Sequence, residues 1–145
     1  MQSSVSIVIP TLNRLKKLSN CIKSVISNDY KNFEIIIIDN GSDDGSVDYL
    51  SQLEFPNIQL IFNKDNKGLA KARNQGIIAS NADYILFIDD DNVIENSMVT
   101  ELVNLLESNN NIGIVSPKTL YKDIPEKIWF YGAKISMITS KAQFF

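Results

Sequence analysis

The sequence predicts an α/β fold built on a mainly parallel sheet flanked by helices. Short apolar runs alternate with helical patterns along most of the chain, and right-handed strand–helix–strand crossovers turn such alternation into a parallel sheet. One run, Phe33 to Ile38, is nearly all apolar, as strands covered on both faces tend to be. The polar residues of note fall just after the apolar runs, where sites in open α/β sheets lie.

The elements follow in order. Val5 to Ile9 reads as a first strand, ended by Pro10. Leu15, Leu18, Ile22, Val25 and Ile26 recur at the spacing of one buried helix face. Phe33 to Ile38 is the second strand. The loop Asp39-Asn40-Gly41-Ser42-Asp43-Asp44-Gly45-Ser46 leads to a short helix through Val47, Leu50 and Leu53. Ile58 to Phe62 is a third strand, Gly68 to Ala79 a third helix, and Tyr84 to Ile88 a fourth strand. A helix with Met98, Leu102, Leu105 and Leu106 precedes an expected fifth strand, Ile112 to Val115. Lys127 to Met137 reads as one or two further strands, where the alternation fades.

Composition narrows the chemistry. The chain has 145 residues, the length of one domain, and can bury on the order of two-thirds of its unfolded surface. Its net charge of −3 speaks against nucleic acid as a partner, since phosphate-backbone binders usually show a basic face. No apolar run approaches the length of a transmembrane segment, and no secretory signal is legible, so a cytoplasmic location is the expectation. The single cysteine, Cys21, reads as a small apolar residue on a helix. There is no histidine, which excludes His-activated nucleophiles and His-based zinc sites. Carboxylates, Arg, Lys, backbone amides and a hard metal are left.

Asp89-Asp90-Asp91 stand at the end of the fourth strand. Three adjacent like charges repel unless a cation or donors lie opposite. In an extended segment Asp89 and Asp91 share a face and converge on a divalent metal while Asp90 points elsewhere; the alternative is an acidic turn in solvent. After strand one, Pro10-Thr11-Leu12-Asn13-Arg14 lacks the glycines of a Rossmann or P-loop turn. Thr11 instead offers a hydroxyl, and Arg14 either a fork for phosphate or a base carbonyl, or a solvated first-turn charge. Asp39 ends a strand of four isoleucines and needs donors. A pyrimidine imide, ribose hydroxyls, an Asx-turn, or a turn together with a ligand would supply them. Asn66-Lys67-Gly68, with Lys71, Arg73 and Asn74, sets cationic groups around a helix N-terminus suited to anions.

Val5 to Arg14, Ile38 to Ser46, Asn66 to Gly76 and Phe87 to Asn92, in this order and spacing, resemble family 2 glycosyltransferases of the Rossmann-like GT-A nucleotide-diphospho-sugar transferase fold. The likeness covers residues 4 to 117. Residues 112–118 and 127–135 are also similar to bacterial rhamnosyltransferase-like members. The resemblance implies that Pro10, Thr11, Arg14, Asp39, Asn66, Gly68, Arg73, Asp89 and Asp90 surround the nucleotide donor, UDP or dTDP type favoured. It further implies that Asp91, with Asp89, holds Mg²⁺ or Mn²⁺ against the diphosphate, Asp91 being the catalytic residue through leaving-group stabilisation. Sugar would pass with inversion to a saccharide or lipid-linked acceptor in polysaccharide biosynthesis, at the inner face of the membrane if not free in the cytoplasm.

The family's general base lies in a later segment. After Glu107 the acids are Asp123 and Glu126, and neither sits in a matching context. The expectation is therefore a single nucleotide-sugar-binding domain, residues 1–145, forming the truncated N-terminal part of a longer enzyme. Residues 118–145 would begin the acceptor side. The fragment alone is expected to bind nucleotide but turn over poorly, with a homodimer among its expected partners through exposed apolar surface. The competing reading is a non-catalytic nucleotide-binding or interaction module. A sugar-nucleotide pyrophosphorylase would carry a Gly-rich basic loop after strand one, and a receiver or phosphatase domain an aspartate after strand one or three. This chain lacks the Gly-rich loop, and its strand one ends in Pro10-Thr11 rather than an aspartate.

Overall fold

A computed structural model of the chain describes residues 2–135 and 142–144. It divides into two compact units, residues 1–99 and 100–145. The first contains β1 (Val5–Thr11), α1 (Leu15–Ile26), β2 (Phe33–Asp39), α2 (Ser46–Ser51), β3 (Ile58–Phe62), α3 (Leu69–Ala79), β4 (Tyr84–Phe87) and the start of α4 (Met98–Ser108). The four strands form one sheet in the order β3-β2-β1-β4, every pairing parallel. The chain builds outward from β1 to β3 and then returns to place β4 on the other flank of β1. The order of strands therefore switches between β1 and β4, the place where a crevice opens in such sheets.

The core follows from the apolar runs. Val5 and Ile7 to Ile9 of β1 and Ile35 to Ile38 of β2 are buried on both faces, each large side chain contributing about 1.5–3 kcal/mol. The flanking strand β4 alternates between partly buried and exposed residues, and β3 mixes the two with Leu60 and Ile61 both partly buried. On α1, Leu18, Cys21, Ile22 and Val25 are fully buried. Ile26 is 37% exposed, so it falls off the face expected for it. Helix α3 approaches β1 closely at Gly76, where a Cβ would meet Val8 Cγ1 at 2.3 Å.

Pro10 does not end β1. The strand continues to Thr11, whose carbonyl accepts from Asn40 N–H at 2.9 Å on the β2 side. On the β4 side the last bond runs from Ile88 N–H to the Val8 carbonyl, 3.1 Å. Pro10, two residues on from Val8, turns its backbone to that same side, where no ladder bond is needed. The proline thus marks where β4 departs from β1 and the sheet splits.

The second unit, residues 100–145, contains most of α4, the antiparallel pair β5 (Thr119–Tyr121) with β6 (Ile124–Phe130), and the antiparallel pair β7 (Ala133–Ile135) with β8 (Ala142–Phe144). The fifth parallel strand expected at Ile112 to Val115 does not form. Those residues are irregular and Ile114 is 91% exposed; Pro117 follows, and a four-residue apolar run gains nothing as a strand without a hydrogen-bonded neighbour. The strands expected within Lys127 to Met137 occur as β6 and β7, except that residues 136 and 137 lie outside the described residues. Among the described residues no helix is long and apolar enough to cross a membrane.

Candidate functional site

At the carboxyl edge of the sheet, a cleft of about 410 Å³ is lined by Pro10, Thr11, Leu12, Arg14, Asn40, Asn66, Leu69 and Asp89 to Asp91. Seven of the residues singled out from the sequence share this cleft. They come from the end of β1 and the loop that follows it and from the segments after β3 and β4, with Asn40 from the segment after β2. Another cleft, of about 450 Å³, lies at the opposite, amino edge around Ser4, Asn32, Asn57 and Asn81. None of the expected site residues lines it.

The acidic run is a turn rather than an extended segment. Asn92 N–H donates to the Asp89 carbonyl at 3.0 Å, bending the chain at Asp90 and Asp91. The three carboxylates are consequently divided among three cations, Arg14, Lys17 and Arg73. Arg14 Nη1 lies 2.9 Å from Asp91 Oδ2 and 3.3 Å from Asp90 Oδ1, while Arg73 Nη2 lies 2.7 Å from Asp89 Oδ1. The alternation expected of a strand, with Asp89 and Asp91 on one face, does not apply to a turn.

Asp90 points inward. It is 5% exposed, and Thr11 Oγ1 donates to its Oδ2 at 2.7 Å. Burial pushes the Asp90 carboxyl above its ordinary pKa and Asp91 adds to that, while the Thr11 bond and Arg14 pull the other way. Beneath the turn, the thiol of Cys21 contacts the Asp89 carbonyl at 3.7 Å. Burial, then the charges of Asp90, Asp91 and Asp89, push its pKa up to about 12. Cys21 is an inert packing residue, as expected from the sequence.

Asp39 forms an Asx-turn with one of its oxygens and leaves the other over. Its Oδ1 accepts from Gly41 N–H at 3.0 Å and Ser42 N–H at 2.8 Å, an Asx-turn. Its Oδ2 is buried and has no hydrogen-bond partner among the described residues. A carboxylate oxygen in that state carries a desolvation cost that a ligand's donor would remove. Gly41 takes φ +90°, and a Cβ there would lie 3.1–3.2 Å from the backbone of Lys64 and Asp65. Only glycine suits that turn.

Gly68 precedes α3 at φ +82°, its N–H donating to Asn66 Oδ1 at 2.8 Å. Lys67 is drawn to Asp65, with Nζ 2.7 and 2.8 Å from its two oxygens. Arg73 lies on the sheet side of α3, over the Phe87 ring at 5.7 Å, and its Nε is buried without a partner among the described residues. Asp39, Gly68 and Arg73 do not line the cleft itself. They abut it through Asn40, Asn66 and Asp89.

Several residues escaped the sequence reading. Lys17 Nζ lies 3.3 Å from Asp91 Oδ2. Asn40, 5% exposed, accepts from Asn63 Nδ2 at 2.9 Å, and Asn63 exchanges two 2.9 Å bonds with Gln75, joining the ends of β2 and β3 to α3. Asp44 accepts from Leu15 N–H at 2.8 Å and from the Ser46 hydroxyl, holding the starts of α1 and α2 together. Leu12 and Leu69 add apolar wall. Single polar letters in loops carry no periodic signal, so these pairings emerge only once the strands are in register.

The family model described as Glycosyl transferase family 2 matches residues 6–143. The chain belongs to glycosyl transferase family 2. Among similar curated proteins, Glycosyltransferase GlyG of Streptococcus pneumoniae is 25% identical over 133 residues, covering 90% of this chain and 44% of the relative. An uncharacterized glycosyltransferase of Rickettsia felis is 35% identical over 125 residues, covering 86% of this chain and 20% of the relative. Among solved structures, the mannosyltransferase PcManGT from Pyrobaculum calidifontis, in complex with GDP-Man and Mn²⁺, superposes with a TM-score of 0.69 at 18% identity, covering 73% of this chain and 33% of that one. S. aureus TarS in complex with UDP-GlcNAc gives 0.69 at 20% identity, covering 82% and 38%. These likenesses establish the GT-A type of fold for this family 2 chain, which spans less than half the length of the relatives named.

Proposed function

We propose that this chain binds a nucleoside-diphosphate sugar in the carboxyl-edge cleft and supplies the donor side of an inverting, metal-dependent sugar transfer to an acceptor hydroxyl. The observation that carries the reading is the convergence of Thr11, Arg14, Asn66 and Asp89 to Asp91 on one cleft of about 410 Å³, a size usual for small-ligand sites. Asp39 Oδ2, buried and without a donor, supports it as the acceptor for an imide N–H or a ribose hydroxyl. UDP or dTDP is the donor type favoured.

Asp91, with Asp89, would hold Mg²⁺ or Mn²⁺. Both are exposed carboxylates with one oxygen in an ion pair and the other without a partner among the described residues. Among those residues no group of three His, Cys, Asp or Glu side chains is placed to hold a metal ion. Hard oxygen donors in so small a number suit a cation whose coordination is completed by diphosphate and water. Such a cation, when bound, stabilises the charge on the departing nucleoside diphosphate. The protein's own part is to position the donor. Arg14 and the exposed start of α3 at Gly68 favour the diphosphate anion, Asp39 orients the nucleoside, and Asp90, fixed by Thr11, holds Arg14 in place. Residues 118–145 would begin the acceptor side, in a protein at work in the cytoplasm or against the inner face of a membrane.

Calorimetry with UDP, dTDP and GDP, each with manganese and with EDTA, tests the reading. Saturable binding of UDP or dTDP that disappears in EDTA is expected. Equal affinity in both buffers would remove the metal from the reading, and absence of nucleotide binding would overturn it.

A further inference from the structure

Lys17 is the third residue of α1 and follows Arg14 by three positions, so the two side chains share a helix face. Both reach the same atom: Arg14 Nη1 lies 2.9 Å and Lys17 Nζ 3.3 Å from Asp91 Oδ2. The carboxylate assigned to the divalent cation is thus already neutralised by two side-chain cations. The two differ in their ties. Arg14 is also anchored by Asp90, itself held by Thr11. Asp91 is the one ion-pair partner of Lys17 among the described residues, and the Lys17 side chain is 60% exposed. A compact ammonium on a flexible stem exchanges one oxygen partner for another at small cost, whereas a doubly anchored guanidinium does not.

Resting on the donor-binding reading, we propose that Lys17 is a resident counter-cation that makes metal and diphosphate binding mutually dependent. Without ligand it occupies Asp91 and opposes a divalent cation through both competition and like-charge repulsion. When metal and diphosphate arrive together, the ammonium leaves Asp91 for a phosphate oxygen, so each ligand removes an obstacle to the other. Such coupling is reciprocal: the factor by which nucleotide tightens metal equals the factor by which metal tightens nucleotide.

The test is Mn²⁺ binding, by calorimetry or by loss of the free-ion paramagnetic resonance signal, with and without UDP, in the wild type, Lys17→Gln and Lys17→Arg. Removing an exposed ion pair of this kind should tighten Mn²⁺ alone by about two- to fivefold in Lys17→Gln. UDP binding in saturating Mn²⁺ should weaken by a similar factor while UDP binding in EDTA stays unchanged, so the coupling factor falls by that same factor. Lys17→Arg should retain most of the coupling. If the wild type binds Mn²⁺ with UDP but Lys17→Gln shows the same Mn²⁺ affinity and the same coupling, the role of Lys17 is refuted while donor binding stands. If the wild type takes up no Mn²⁺ even with UDP, both fall.

Discussion

Thr11 Oγ1 donates to Asp90 Oδ2 at 2.7 Å across the split between β1 and β4, and this buried bond ties the two strands together where their ladder has ended. Asp90 in turn accepts from Arg14 Nη1 at 3.3 Å. Thr11 therefore fixes the position of a carboxylate that fixes a guanidinium.

Thr11→Val keeps the shape and removes the donor. It is expected to destabilise the fold by about 1–3 kcal/mol, the cost of leaving a buried acceptor unsatisfied, whereas Thr11→Ser should stay near the wild type. The deficit should depend on pH in a defined sense. The Asp90 pKa is raised by burial, so its favourable contribution is complete below the ordinary carboxylate value and is lost as pH rises through the raised one. Without the Thr11 donor the charged form loses support, and the gap between variant and wild type should widen from about pH 4 to neutrality. Urea unfolding at both pH values measures it.

Asp39→Asn separates the two oxygens of that side chain. The amide oxygen can still accept from Gly41 and Ser42, while the amide nitrogen replaces the unpartnered Oδ2 with a donor. Thermal stability should be unchanged or improved. UDP affinity should fall about ten- to a hundredfold, the usual worth of a hydrogen bond to a charged group. Calorimetry that found unchanged affinity would relieve Asp39 of any role in holding the nucleoside.

Gly76→Ala tests the approach of α3 to β1. A methyl group 2.3 Å from Val8 Cγ1 must push helix and strand apart, with an expected loss of about 1–3 kcal/mol despite the better helix propensity of alanine. Adding Val8→Ala should recover part of that loss. A chemical-denaturation cycle over the four combinations gives the coupling.

Asp44 bonds the backbone of Leu15 and the Ser46 side chain, and these contacts, in that order, lower its pKa. A lowered carboxylate contributes stability above its ordinary pKa and loses it as pH falls through the lowered value. Asp44→Ala should cost about 1 kcal/mol near neutrality, as loss of a helix cap does. The two proteins should converge in stability as Asp44 is protonated, which acid titration followed by circular dichroism would show.

How much of this was legible in the sequence varies by element. Val5 to Ile9, Phe33 to Ile38 and Ile58 to Phe62 declared themselves because both faces, or one, lie against helices. The ends were less visible. Pro10 reads as a breaker until β4 is known to have turned away, and β4 itself ends at Phe87, with Ile88 N–H making the last bond to β1. Ile112 to Val115 has strand-like letters but pairs with no strand among the described residues, a fact absent from any local window. At the site, Asp89 to Asp91 were conspicuous as a run, yet their division between Arg14 with Lys17 and Arg73 depends on a turn that the extended reading did not include. Lys17 and Asp44 escaped notice because these partners lie 74 and 29 positions away in the chain.

The most direct measurement is diffraction at the manganese edge from crystals grown with a UDP-sugar and Mn²⁺. The account predicts an anomalous peak bound by Asp91 and the diphosphate, with the nucleoside at Asp39. Nucleotide bound elsewhere, or manganese absent from the edge shared by Thr11, Arg14 and Asp91, would contradict it.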